Sequence, residues 1–171
     1  MLILITGGAR SGKSNFAVKM AQDRSKKVAF IATSRPGDKE MARRIISHQR
    51  NRPAHWKTFE QEKDILTLLK KIEKSFDVII IDCVTLLVSN YLLDGEREKT
   101  IVKMIKALAK EAKAVRSCIM MVTNEVGAGI IPENELARKF RDIAGTVNQA
   151  IAGHASEVYL LNCGIPMKIK G

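Results

Sequence analysis

The stretch that most constrains this chain is Gly7-Gly8-Ala9-Arg10-Ser11-Gly12-Lys13-Ser14, because of what stands on either side of it. Leu2-Ile3-Leu4-Ile5 reads as a short buried strand, the glycines as a loop, and the residues from Lys13 onward as a helix. The apolar run is too short, and its start too uncharged, for a secretory leader. The octapeptide fits G-x-x-x-x-G-K-[ST] in the strand–loop–helix setting that a phosphate-binding loop requires. Glycines let backbone N–H groups converge on phosphate oxygens, and the helix N-terminus adds partial positive charge. Lys13 is expected to face outward and reach the β and γ phosphates, and Ser14 to ligand Mg²⁺. The stretch therefore predicts a bound nucleoside triphosphate.

Apolar, β-branched runs recur at Val28–Thr33, Val78–Asp82, Ile119–Asn124 and Glu157–Asn162. Between them apolar residues step by three and four: Phe16/Met20, Ile65 to Phe76, Ile101 to Val115 and Leu136 to Ile151. Each set draws one stripe on a helix. The alternation predicts an α/β fold of the RecA-like P-loop type, a mostly parallel sheet with helices on both faces. The 171 residues show no linker or repeat, so one domain, 1–171, is expected. Ligands of such sheets gather at the carboxyl ends of the strands. Asp82 ends its strand there, beside the expected phosphate loop, and is the candidate to hold magnesium or its waters.

Lys and Arg number 29 against 18 Asp and Glu, a net +11 that draws polyanions or phosphorylated small molecules. Aromatic residues make up only 5%, which makes the stacking platform of a single-strand binder hard to assemble and disfavours nucleic acid as the partner. No run approaches the length of a membrane span. Cys83, Cys118 and Cys163 are odd in number and lack metal spacing, and each lies in or beside an apolar run. They read as reduced core thiols of a cytoplasmic protein.

The segment Ser34–Glu60 is longer than a plain crossover and crowded with Arg and His. Asp38 can cap a short helix on which Met41, Arg44, Ile45 and His48 share a face. Arg43, Arg44, Arg50, Arg52 and Lys57 surround His48 and should lower its pKa, favouring the neutral imidazole that can attack phosphorus. On the residues alone the blander reading is the stronger one: a partly buried histidine and a solvated basic face. His55 and His154 start no better, and Trp56 reads as packing.

Four stretches carry a resemblance: GGARSGKS; R-I-x-x-H-x-x-x-R-P-x-x-W-x-T-x-E from Arg44 to Glu60; I-D-C-x-T-L from Ile81 to Leu86; and TNEVGAGIIPEN with LARKFRDIAGTVNQ from Thr123 to Gln149. Together they resemble the cobinamide kinase/cobinamide-phosphate guanylyltransferase family of cobalamin biosynthesis, from Leu2 to the closing GIPMKIK. Ser34, where alanine is the usual residue, is a small departure. The resemblance implies two activities. The aminopropanol hydroxyl of adenosylcobinamide is phosphorylated using ATP or GTP, and GMP from GTP then passes through a histidine to the new phosphate, giving adenosylcobinamide-GDP. The family histidine falls on His48, and Arg50 and Arg52 would offset charge on the α-phosphate and departing pyrophosphate. Glu60, the last residue of its motif, is the candidate to accept hydrogen bonds from guanine, with Glu62 as the near alternative. Thr33, Ser34, Arg35, Asn51, Arg52, Pro53 and Ala54 would line the nucleotide by the same analogy. The loop from Asn124 to Gly129 reads as substrate-side, with Pro132 starting the next helix. A homo-oligomer, a trimer, is also implied, and no nucleic-acid partner is expected. The rival readings are a monofunctional P-loop small-molecule kinase, in which His48 is structural, and a RecA-like nucleic-acid-dependent ATPase.

Overall fold

The computed structural model describes residues 1–37, 43, 49 and 52–171. The expected face shared by Met41, Arg44, Ile45 and His48, and its cap at Asp38, lie outside the described residues, as do Arg50 and Asn51.

The strands are β1 (Leu2–Gly7), β2 (Val28–Ala32), β3 (Lys57–Glu60), β4 (Val78–Asp82), β5 (Cys118–Val122), β6 (Glu157–Asn162) and β7 (Ile165–Lys170). They form one seven-stranded sheet in the order β3-β2-β4-β5-β1-β6-β7. All neighbours pair in parallel except β6 with β7. The described helices are α1 (Lys13–Arg24), α2 (Ile65–Ile72), α3 (Val84–Leu93), α4 (Glu98–Ala114) and α5 (Glu135–His154). The predicted α/β architecture is thus the observed one.

Strand alternation divides the core. Ile3, Ile5, Phe30, Ile80, Met120 and Val122 face Ala17 and Ala21 of α1, together with Trp56. Leu2, Leu4, Ile31, Ile79, Ile81 and Met121 face the apolar stripes of α2, α4 and α5, with α3. Side chains such as Ile3, Ile5, Ile79 and Ile81 are fully buried, which is why these strands read as continuous apolar runs.

Two strands and one helix depart from expectation. β3 and β7 are the edges of the sheet, so neither needs a continuous apolar run: β3 is KTFE, and every residue of β7 is exposed. β7 turns back on β6 through Cys163 and Gly164, at φ 51° and 82°. That turn leaves Cys163 exposed, while Cys83 is buried and Cys118 half-buried, which corrects the reading of all three as core thiols. α3 is apolar on nearly all sides, so no stripe marked it. Pro132 does not start α5: Asn134 caps it, its side chain accepting from the Ala137 N–H at 3.0 Å.

Buried hydroxyls and amides pin the loops at the carboxyl edge. Thr33 Oγ1 donates to the Cys83 carbonyl at 2.7 Å and accepts from the Cys83 N–H at 2.9 Å. Asn90 Nδ2 donates to the Thr33 and Glu62 carbonyls. Thr33→Val removes one partner from each Cys83 group while keeping the volume, so it should lower unfolding free energy by about 1–3 kcal/mol in urea melts. An unchanged midpoint would mean that those bonds add nothing net.

Candidate active site at the carboxyl edge

The glycine loop leaves β1 and closes on α1. Gly7 has φ 150°, and a Cβ there would run into the Leu161 carbonyl of β6. Gly12, at φ 92°, is the residue before α1 and lies against Gly164. Both positions call for glycine. Gly8, Ala9 and Arg10 form the exposed crest, and Ser11 is buried. The loop is held from two sides: the Gly164 N–H donates to the Ser11 carbonyl at 3.1 Å, and the Glu125 N–H to the Gly7 carbonyl at 2.9 Å. The Asn124–Gly129 loop therefore starts beside the glycine loop, as the carboxyl-edge reading requires.

Lys13 differs from its expected outward pose. It is 7% exposed, and its Nζ donates to the Gly8 carbonyl at 2.5 Å and lies 3.4 Å from Ser11 Oγ. Burial lowers its pKa, opposed by the nearby Cys83 and Asp82. Burial also pushes the Cys83 thiol up to about 12, so at neutral pH it is uncharged and Asp82 is the anion that matters. Ser14, half-buried, follows on the first turn of α1.

Asp82 stands half-buried at the end of β4, on the α1 face by strand parity. Its charge is felt by Lys13 and also by Arg52. The Arg52 guanidinium stacks on Phe30 at 3.9 Å from the ring centroid. Burial lowers its pKa, while Asp82 and Glu60 pull it back up. Its Nε and Nη1 are buried with no hydrogen-bond partner. A cation so placed is prepared to meet an anion.

Arg52 also lines a cavity of about 300 Å³ with Gln49, Pro53, Ala54, Trp56, Thr58 and Glu60. Arg52, Pro53, Ala54 and Glu60 are thus brought together in one cavity. Gln49 and Thr58 were missed, and Trp56, read as packing, packs in the core while also lining this cavity. Trp56, Thr58 and Glu60 alternate in the sequence, so a period-two reading of W-x-T-x-E was the available signal for a shared strand face. Trp56 is 7% exposed, and its buried Nε1 has no partner. Glu60 Oε1 accepts from Gln49 Nε2 at 2.7 Å.

Thr33 and Arg35 are engaged elsewhere. Thr33 is wholly buried, with its hydroxyl used by Cys83. Ser34 is half-buried. Arg35 Nε donates to Glu62 Oε2 at 2.7 Å, and its two terminal nitrogens meet the Asp94 carboxylate at 3.0 and 3.2 Å. Lys63 joins the same carboxylate at 2.5 Å. Hydrogen bonds from Arg35 and Lys63 hold the Asp94 carboxyl well below the usual range. Glu62 is therefore bound into an ion cluster, whereas Glu60 lines the cavity. Among the described residues no group of three or more His, Cys, Asp and Glu could hold a metal. Ser14 and Asp82 supply hydroxyl and carboxylate oxygen, a donor set suited to a magnesium ion that takes its remaining ligands from phosphate and water.

A solved structure of an ATPase domain superposes with a TM-score of 0.51, covering 94% of this chain and 69% of that one, at 14% identity. That likeness shows the fold, a RecA-like P-loop sheet. The bifunctional adenosylcobalamin biosynthesis protein CobU of Salmonella typhimurium is 45% identical over 99% of this chain and its own whole length. Its counterpart of the same name in Escherichia coli is 43% identical with the same coverage. The bifunctional adenosylcobalamin biosynthesis protein CobP of Pseudomonas aeruginosa is 39% identical over 98% of this chain and 96% of its own. The family model described as cobinamide kinase / cobinamide phosphate guanyltransferase matches residues 3–169. By both measures the chain belongs to the cobinamide kinase / cobinamide phosphate guanyltransferase family, a family of bifunctional enzymes.

Proposed function

We propose that this chain, as a single catalytic domain, phosphorylates the aminopropanol hydroxyl of adenosylcobinamide and then guanylylates the product to give adenosylcobinamide-GDP. The observation that carries the reading furthest is the position of Arg52, which lines the cavity with Glu60 and feels the charges of both Asp82 and Glu60. One half-buried cation lies between the end of β4 and the cavity, so a nucleotide with phosphates on the loop and its base beside Glu60 would span it.

In the first reaction ATP or GTP lies with its phosphates against the N–H groups of Gly7, Gly8, Ala9, Arg10, Ser11 and Gly12. Lys13 Nζ exchanges the Gly8 carbonyl for phosphate oxygens. Ser14 and Asp82 hold Mg²⁺, which offsets charge on the transferring group when bound. In the second reaction a nitrogen of His48 attacks the α-phosphorus of GTP. A P–N bond forms, the Pα–O–Pβ bond breaks, and pyrophosphate leaves. An oxygen of cobinamide phosphate then attacks the same phosphorus, forming P–O–P and freeing the imidazole. Arg52, with Arg50, balances charge on the α-phosphate. Ser34, Asn51, Pro53 and Ala54 border the nucleotide, while Thr33 and Arg35 support the strand-end loops through Cys83 and through Glu62 and Asp94. The net +11 favours these anionic substrates. We include in the reading a cytoplasmic setting and a homotrimer. The exposed Ile165, Met167 and Ile169 at alternate positions of β7 support self-association. No described helix is long and apolar enough to cross a membrane. Neither rival reading is favoured by the family match, which names both activities.

Guanine offers N1–H and a 2-amino group to one carboxylate, and adenine does not. Glu60→Gln substitutes a donor for one acceptor oxygen, leaving N–H against N–H, a mismatch worth about 1–3 kcal/mol. GTP-dependent guanylylation should fall about 5- to 150-fold in kcat/KM, while any ATP-supported phosphorylation changes little. Parallel steady-state assays with the two nucleotides measure this, and equal losses would remove Glu60 from base recognition.

A further inference from the structure

A second cavity, of about 220 Å³, opens between the end of α3 and the start of α5, walled mainly by Leu92, Leu93, Leu136 and Phe140. Leu93 is 65% exposed, Leu136 49% and Ile130, on the loop before α5, 95%, with Ile131 exposed beside it. Ser89 and Asn134 supply polar atoms at the same wall. Such a cluster of exposed apolar side chains is unusual for a surface left to water.

We infer that this groove seats the corrin macrocycle of cobinamide, an inference that rests on the function proposed above. The two elements that lead into its walls both start beside the phosphate loop. α3 begins at Cys83, directly after Asp82, and Leu93 lies about 15 Å further along it. The loop bearing Ile130 and Ile131 starts where the Asn124 N–H donates to Thr85 Oγ1 on α3, at 2.6 Å, and the Glu125 N–H to the Gly7 carbonyl. Cobinamide is a flat macrocycle edged with methyl groups and carboxamides. Its reactive hydroxyl ends an arm of roughly 9 Å when extended, judged from ordinary bond lengths. A macrocycle on the groove would cover Leu93, Leu136 and Phe140 and offer its amides to Ser89 and Asn134. The arm covers much of the roughly 15 Å of α3 between Leu93 and the residue after Asp82. The hydroxyl would thereby meet the γ-phosphate while the ring stays clear of the cavity beside Glu60.

Leu93→Glu and Leu136→Glu test this, since both side chains are exposed and the fold does not need them. Binding of cobinamide is measured by equilibrium dialysis, read by its visible absorption, with wild type and Leu93→Met as references. Facing a macrocycle with an unpaired carboxylate should raise the cobinamide Kd about tenfold or more in each glutamate variant, with Leu93→Met near wild type. The GMP adduct formed from GTP without any corrinoid serves as the companion readout and should form at the wild-type rate. Unchanged cobinamide affinity in both variants would overturn the groove. So would a change in sedimentation mass without weaker cobinamide binding, because a second copy would then be the occupant. Wild-type protein that neither binds cobinamide nor forms the adduct would instead overturn the enzymatic reading on which the inference stands.

Discussion

Lys13→Ala abolishes nucleotide-dependent phosphorylation, lowering kcat by several orders of magnitude. Phosphoryl transfer asks little covalent chemistry of the protein and depends on positioning and charge stabilisation. Lys13 supplies a cation held 7% exposed at the carboxyl edge, poised on the Gly8 carbonyl and close to the Asp82 charge. In so dry a setting its charge acts more strongly on phosphate than it would in water. Because the side chain is buried, alanine also deletes packing along the lysine stem. Lys13→Met keeps most of that volume and removes only the charge, so it should be as inactive as Lys13→Ala while melting closer to wild type. Turnover assays beside thermal melts separate the two effects. Near-normal phosphorylation in Lys13→Met would contradict the role given to the phosphate loop.

His48→Ala has a different signature, because it divides the two reactions. If His48 carries GMP between GTP and cobinamide phosphate, its loss removes guanylyl transfer to background. Phosphorylation of cobinamide should persist within severalfold of wild type, because Lys13, Ser14 and Asp82 are untouched and γ-phosphate transfer needs no imidazole nucleophile. The assay follows cobinamide phosphate accumulating without conversion to the GDP-linked product. A variant that loses both reactions together would make His48 a structural residue of a shared site.

Much of this molecule was legible in its sequence where one physical demand dominated. Buried parallel strands need apolar residues on both faces, so Val78–Ile81 and Ile119–Val122 announced themselves, and the order of strands and striped helices followed. Gly7 and Gly12 were legible because backbone approach and positive φ admit little else. The edges were not. β3 and β7 answer to solvent on one or both sides, and α3 has no polar face to set its period. Within the site, Glu60, Arg52, Pro53 and Ala54 could be named through the resemblance, but their convergence with Gln49, Trp56 and Thr58 depends on β3 pairing with β2. Arg35 shows the opposite case. By motif it belongs with the nucleotide, yet Glu62 and Asp94, each distant in sequence, take up its guanidinium. A long-range ion cluster leaves no local trace in composition or spacing.

The central claim is that this protein takes GMP onto His48, and intact-protein mass spectrometry after incubation with GTP and Mg²⁺ tests it without any corrinoid. The account predicts a mass increase of one GMP moiety with GTP and none with ATP. A P–N bond to imidazole is acid-labile, since protonation of the ring makes it a good leaving group, so brief acid should return the unmodified mass. His48→Ala should show no adduct under the same conditions. An adduct that persists in His48→Ala and maps to His55, His154 or a lysine, or guanylyl transfer proceeding with no adduct at all, would contradict the account.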